Sequence, residues 1–279
     1  MTLRRIVSSF AGDTRGLAKY LLLAARPGAS WESPIFVVGP PRSGTTMLYT
    51  RLISYNCFCG PSHETGFFRI TNPYLVPMDP IPKADWERFV DEAKTQAELL
   101  DMAIKWFKEN FGAAYFLEKT PQHCLHYRRI FTAWAGSKII GIVRHPLDCV
   151  ASAVRNKEFI PQGSNIESAA YYWNKCAAAV DQLRAHERSK VVRYEDIVAG
   201  KIDILSVARF IAGDDVCTST HKEVHHSFIG KKGFELLGGP IESNRIGAWK
   251  EVLSSNQACR TWKITESTAA RFGYNIDTY

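Results

Sequence analysis

A chain of 279 residues that is 46% hydrophobic and 23% charged can bury a sizeable core, and its composition is that of a globular protein, not of a disordered or fibrous one. Its 35 Lys and Arg against 28 Asp and Glu leave a net charge of +7, which favours an anionic ligand; no basic block and no basic stripe interleaved with aromatics accompanies it, which argues against a nucleic-acid binder. No apolar run approaches the ~20 residues of a spanning helix, no signal-like apolar core follows Arg4 and Arg5, and the 7 scattered cysteines without a CxxC pair imply reduced thiols in a cytoplasmic setting, with neither structural zinc nor a disulfide framework.

Residues 13–26 set Leu17, Leu21 and Leu22 at helical spacing among Arg15, Lys19 and Arg26, and Pro27-Gly28 closes the segment. Residues 1–34 therefore read as a basic amphipathic helical arm, either packed on the main domain or touching a membrane surface through residues 13–26. Residues 35–279 read as the main domain. Within it, 35–38, 115–117, 139–143 and 191–192 are apolar runs of strand length. Trp86, Phe89, Val90, Ala93, Ala97, Leu100, Ile104 and Phe107 recur at three and four, predicting one face of a single long helix. This alternation predicts an α/β fold, a single domain with a central, mainly parallel sheet flanked by helices on both faces. The Pro-rich stretch 72–82 predicts an irregular excursion over the sheet's C-terminal edge, where such folds bind ligands.

The first strand runs into Gly39-Pro-Pro-Arg-Ser-Gly-Thr-Thr and then into residues 47–53, apolar on a helical period. Such a loop aims backbone N–H groups and the positive end of a helix at an anion. Gly44 permits close backbone approach, and Ser43, Thr45 and Thr46 add hydroxyl donors. A nucleoside-triphosphate enzyme of this loop type places lysine after the second glycine and an acid at a neighbouring strand end to hold magnesium. Here those positions are Thr45 and Arg144. Arg42, inside the loop, supplies a planar cation instead. After Arg144, Pro146 suits a helix start, and Ser152 falls two turns on, so that the arginine and the serine can meet one further phosphate.

With these residues the chain resembles the P-loop sulfotransferases that use 3′-phosphoadenosine 5′-phosphosulfate (PAPS), closest in motif style to the bacterial and tyrosyl-protein branch. Residues 41–46, PRSGTT, look like that family's 5′-phosphosulfate loop, and Arg144 with Ser152 like its 3′-phosphate motif. Tyr194-Glu195-Asp196, His226-Ser227-Phe228 and the stretch from Arg245 to Lys250 extend the likeness from residue 35 to about 253. The resemblance implies that Arg42, Ser43, Gly44, Thr45 and Thr46 hold the 5′-phosphate and that Arg144 and Ser152, with charge from Arg245, hold the 3′-phosphate. It also implies that Tyr194 and Phe228 flank adenine; Trp249 is expected only to pack. No metal is implied.

Sulfuryl transfer, like phosphoryl transfer, is an in-line displacement in which the protein positions groups and neutralises charge. Arg42 and Lys119, the latter in YFLEKTP, are the expected cations beside the leaving phosphate oxygen. The acceptor, a hydroxyl or less readily an amine, needs a base. Many relatives carry a histidine two residues after this lysine, where this chain has Pro121, so Glu64, His63 and His123 remain. Glu64 is favoured, because the resembling branches carry a glutamate at about this distance from the loop; His63 would be its neighbour, and Glu118 is expected to pair with a cation. Residues 65–112 and 157–175, rich in aromatics such as Phe67, Phe68, Trp86, Trp106, Phe159, Tyr171, Tyr172 and Trp173, are expected to form the acceptor pocket for a small molecule, glycan or lipid. Two rival readings stand beside this one: a P-loop small-molecule kinase and a non-catalytic basic protein that binds anions or acidic polymers.

Overall fold

A computed structural model describes residues 10–69, 72–156, 165–213 and 245–277. Helix α1 (Thr14–Ala25) starts at Asp13, whose carboxylate accepts from the Gly16 amide. It is fastened to the rest of the chain: Arg15 pairs with Asp91, Lys19 Nζ donates to the carbonyls of Asp91 and Ala93, and Leu23 is buried in the main core. No helix among the described residues is long and apolar enough to cross a membrane.

Five strands follow: β1 (Ile35–Val38), β2 (Phe58–Cys59), β3 (Tyr115–Lys119), β4 (Lys138–Val143) and β5 (Ser189–Arg193). They form one sheet in the order β2-β3-β1-β4-β5, every pair parallel. The α/β, parallel-sheet expectation is met. Successive strand residues point to opposite faces, so Phe36, Val38, Ile139 and Val143 join one apolar cluster while Ile35, Val37, Ile140 and Ile142 join another. A sheet buried on both faces explains why these strands read as unbroken apolar runs. Helices α2 (Thr45–Ile53), α3 (Lys83–Glu92), α4 (Gln96–Phe111), α5 (Tyr127–Ala133), α6 (Pro146–Asn156), α7 (Ile166–Leu183), α8 (Tyr194–Val198), α9 (Ile204–Ala212) and α10 (Ser255–Ala270) complete the layers. Leu48, Leu52, Val207 and Ile211 of α2 and α9 cover one face; Leu100, Ile104, Trp173 and Val180 of α4 and α7 cover the other.

Three local expectations are corrected. The strands over 115–117, 139–143 and 191–192 extend to Tyr115–Lys119, Lys138–Val143 and Ser189–Arg193, because polar end residues continue the ladder. The edge strand Phe58–Cys59 was too short to show a period. The single long helix is two, α3 and α4, with Ala93 in extended backbone between them. Thr95 stops it: its hydroxyl accepts from the Glu98 amide, and Glu98 Oε2 accepts from the Lys94 amide, so a new helix start is built where apolar periodicity alone shows no break. The 72–82 stretch is irregular as expected, with a short 3₁₀ turn at Pro73–Leu75 and Met78 and Ile81 buried.

Because all strands run the same way, their C-terminal ends open onto one edge. Gly39, Thr120, Arg144 and Tyr194 each follow directly on the ends of β1, β3, β4 and β5. Removing the cap with Thr95→Ala should cost about 1 kcal/mol and lower the melting temperature by a few degrees; in thermal unfolding, Glu98→Ala should add less than its own single cost, since both serve one helix end.

Candidate active site

The turn from β1 into α2 has space for backbone only. A Cβ on Gly39 would stand 2.1 Å from the Ile142 carbonyl oxygen, and Gly39 N–H donates to the Pro121 carbonyl at 3.0 Å. Ser43 is fully buried, its hydroxyl donating to Ile142 O at 3.1 Å. Gly44 occupies the helix N-cap at φ 98°. It offers no side-chain cap, and the Leu48 amide is the one that bonds back to its carbonyl, so the amides of Thr45, Thr46 and Met47 have no intrahelical acceptor. Thr45 and Thr46 are themselves buried. The turn thus ends in a helix start whose first amides have no acceptor within the helix.

Arg42 sits in the left-handed region at φ 69°, which costs a non-glycine residue on the order of 1–3 kcal/mol. That geometry accompanies a bond: Arg42 Nε donates to Ser152 Oγ on α6 at 2.9 Å. The Ser152 hydroxyl thus links α6 to the loop directly. Arg144, only 8% exposed, lies with its guanidinium 4.6 Å from the centre of the Tyr194 ring, pairs with Asp148 at 3.5 Å and donates to the Arg245 carbonyl. Its Nε is buried without a hydrogen-bond partner among the described residues. Tyr194 in turn touches the loop, since a Cβ on Gly44 would fall 2.6 Å from its ring.

Two supports were missed in the sequence. Asp148 accepts from the amides of Gly247 and Trp249 at 3.0 and 3.1 Å, which fixes the segment carrying Arg245 beside Arg144. The signal was there, four residues after Arg144 at a helix start, the spacing of an ion pair. Glu195 accepts from the His145 amide and from the Tyr274 hydroxyl, holding the end of β5 against the residue that follows Arg144. Trp249 packs at the edge of the cluster made by α6, α7 and α10, as expected. Phe228 and Phe159 lie outside the described residues.

Lys119 ends β3 and is 1% exposed; its Nζ donates to Glu64 Oε1 at 2.9 Å. Burial pushes this ammonium below the usual lysine range, Arg42 adds to the effect, and Glu64 and Glu118 oppose it. Behind the pair, Glu118 is completely buried and accepts from Thr65 Oγ1, Thr120 Oγ1 and His123 Nδ1 at 2.6, 2.6 and 2.8 Å. Burial alone would raise its carboxyl; His123 and the two hydroxyls outweigh burial and keep it lowered. The partners of Glu118 are thus the His123 ring and two hydroxyls. Thr120 Oγ1 also accepts from the Gly66 amide at 3.1 Å, and His123 Nε2 accepts from the Phe68 amide at 3.4 Å. The segment 64–68 is clamped to the end of β3 by these bonds. His123 is fully buried with both ring nitrogens engaged, whereas His63 is half-buried and pushed down by burial, with Asp79 opposing. Trp86 and Trp173 are core residues whose indoles donate to the carbonyls of Pro73 and Arg144, while Tyr171 is exposed.

Residues 34–206 match the model of a family described as the sulfotransferase family. Among solved structures, the sulfotransferase domain from the curacin biosynthetic pathway is 18% identical over 88% of this chain and 99% of that chain, with a TM-score of 0.63. The sulfotransferase domain from the Synechococcus PCC 7002 olefin synthase is 18% identical over 89% of this chain and 97% of that chain, with a TM-score of 0.62. At such identity the likeness speaks for the fold. A comparison with curated proteins found no match.

Gly44→Ala should destabilise the protein by on the order of 1–3 kcal/mol, because its φ is left-handed and its Cβ meets Tyr194. In urea unfolding the cost should shrink in a Tyr194→Ala background; strictly additive costs would mean that the ring and the loop do not touch.

Proposed function

The chain belongs to the sulfotransferase family, and from that premise we propose that it moves a sulfuryl group from PAPS to a hydroxyl of a small-molecule, glycan or lipid acceptor. The observation that carries this reading is the meeting, at one sheet edge, of a backbone anion cradle, the Arg42–Ser152 link and the Lys119–Glu64 pair. The amides of Thr45 and Thr46, with Ser43, Gly44 and Arg42, would hold the 5′-phosphate. Arg144, whose buried Nε lacks a partner among the described residues, would take the 3′-phosphate together with Ser152 and Arg245. Tyr194, buried with the Arg144 guanidinium over its ring and Gly44 against it, suits the support of that arginine better than stacking on adenine. Arg144 stands where a magnesium-dependent kinase wants an acid, and Thr45 where it wants lysine, which favours transfer of sulfuryl over phosphoryl.

Glu64 is the proposed base. Its carboxylate removes the acceptor proton as the acceptor oxygen bonds to sulfur and the bond from sulfur to the phosphate oxygen breaks. Charge then gathers on that phosphate oxygen, and Lys119 and Arg42 neutralise it. Holding base and cation 2.9 Å apart brings nucleophile and leaving group to one point. His123 is withdrawn from the role of base, because neither ring nitrogen is available; in this reading it holds the segment that carries Glu64.

In a thermal-shift assay adenosine 3′,5′-bisphosphate should raise the melting temperature and Mg-ATP should not. Glu64→Gln should keep that shift while lowering kcat by roughly 10²–10⁴-fold. Stabilisation by Mg-ATP alone would favour a kinase, and an undiminished kcat would remove Glu64 from the chemistry. A second measurement concerns pH. Since the Lys119 ammonium is held below the usual lysine range, rising pH should discharge it early, and turnover should fall on the alkaline side below that range. Lys119→Arg, whose guanidinium stays charged, should move the fall upward; an unmoved limb would assign it to another group.

A further inference from the structure

The segment after α10 reaches back to the strand end that carries Arg144. Helix α10 closes in a turn where Gly273 stands at φ 76°, a left-handed value that suits glycine. Beyond it, Tyr274 and Asn275 meet the residues that follow β5 and β4. The Tyr274 hydroxyl donates to Glu195 Oε2 at 2.6 Å, while Glu195 Oε1 accepts from the His145 amide at 2.8 Å. The Asn275 carbonyl lies 3.0 Å from His145 Nε2, and because a carbonyl only accepts, that ring nitrogen carries the proton. The His145 ring is also stacked on Trp262 at 5.9 Å and edge-on to Tyr274 at 5.3 Å. Tyr274, His145 and Glu195 are all buried.

These bonds bear on Arg144 through a single peptide unit. The amide that Glu195 holds belongs to the bond between Arg144 and His145, and the carbonyl of the same unit accepts from the Trp173 indole at 3.2 Å. A planar peptide whose N–H and C=O are both held has little freedom to rotate. The direction in which the Arg144 side chain leaves the backbone is therefore set at this peptide as well as by the pair with Asp148. Glu195 keeps its own orientation because both of its oxygens are engaged, and a saturated buried polar group is stiff. Tyr274 supplies the donor on the oxygen that the His145 amide does not use. Burial, with the Glu195 carboxylate, pushes its phenol well above the usual range, so the hydroxyl stays a donor. Trp262, Tyr274 and Asn275 all lie beyond residue 206, where the family match ends.

We propose that Tyr274 is a positioning residue for the nucleotide site: through Glu195 and the Arg144–His145 peptide it holds Arg144 in the orientation that meets the 3′-phosphate. The inference rests on the assignment of Arg144 to that phosphate in the reading above. Loss of the Tyr274 hydroxyl leaves one carboxylate oxygen of Glu195 without this donor, frees the side chain to turn, and relaxes the peptide from which the arginine projects. The 5′-phosphate is assigned to other groups, the loop after β1 and the start of α2, and this path of bonds does not run through them. Tyr274 therefore acts on one end of the nucleotide, which separates positioning from a general contribution to stability.

Adenosine 3′,5′-bisphosphate and adenosine 5′-monophosphate, titrated calorimetrically into the full chain well below the melting temperature of each variant, test the assignment. The unaltered protein should prefer the bisphosphate, and Arg144→Met should erase that preference. Tyr274→Phe should lower the preference about tenfold, the low end of what one hydrogen bond to a charged group is worth, with affinity for the monophosphate unchanged. Glu195→Gln, which leaves one acceptor for two donors, should lower it likewise, and the double variant should lose little more than the larger single loss, since both lie on one path. A preference that Arg144→Met erases but that neither Tyr274→Phe nor Glu195→Gln lowers would overturn this proposal alone. So would an equal loss of both nucleotides in Tyr274→Phe, the mark of a merely structural residue. An unaltered protein without any preference would remove the 3′-phosphate assignment, and the proposal with it.

Discussion

The passage of the β1–α2 turn between two neighbours governs this protein. On one side the Ile142 carbonyl stands where a Gly39 side chain would begin, and on the other the Tyr194 ring stands against Gly44. A turn confined in this way presents amides and little else at the helix start, which is the arrangement that receives an anion. Tyr194 is pressed between this turn and Arg144, so one aromatic ring ties the cradle to the cation that follows β4. Arg42 makes the second tie, across to Ser152. Loop, strand end and helix α6 are thus tied to one another around the start of α2.

Opposite it lies a set of buried charges that a protein selected for stability alone would avoid. Lys119 is desolvated to 1% exposure and its partner Glu64 is partly open to solvent. The completely buried Glu118 is the stiffer element, because three donors saturate it and two of those donors accept in turn from the amides of Gly66 and Phe68. A saturated buried network rigidifies what it touches. Here it touches the backbone on which Glu64 is mounted, so cost in desolvation is exchanged for position.

The N-terminal helix belongs to the same picture. Its polar bonds run to residues 72 and 91–93, and its apolar side closes over Phe67 and Phe68, the continuation of the clamped segment. The clamped backbone is thereby bonded to the end of β3, and α1 lines a cleft together with its continuation at Phe67 and Phe68.

Sequence alone determined the class of fold, the place of the strand-to-helix turn after β1 and the absence of the lysine and acid that a triphosphate would require. Each of these is written locally, as an apolar period, a glycine spacing or one residue after a strand. Tertiary structure decided the partners. Ser152 meets Arg42 across 110 residues. His123, a reasonable base on the page, is buried by Phe68 and Glu118, which no spacing reveals. Even the break between α3 and α4 turned on two hydrogen bonds at Thr95 and Glu98 that apolar periodicity does not register. A period reports which face of an element is buried; which polar atom another reaches depends on how the elements cross, and that is settled only when the sheet and its helices pack.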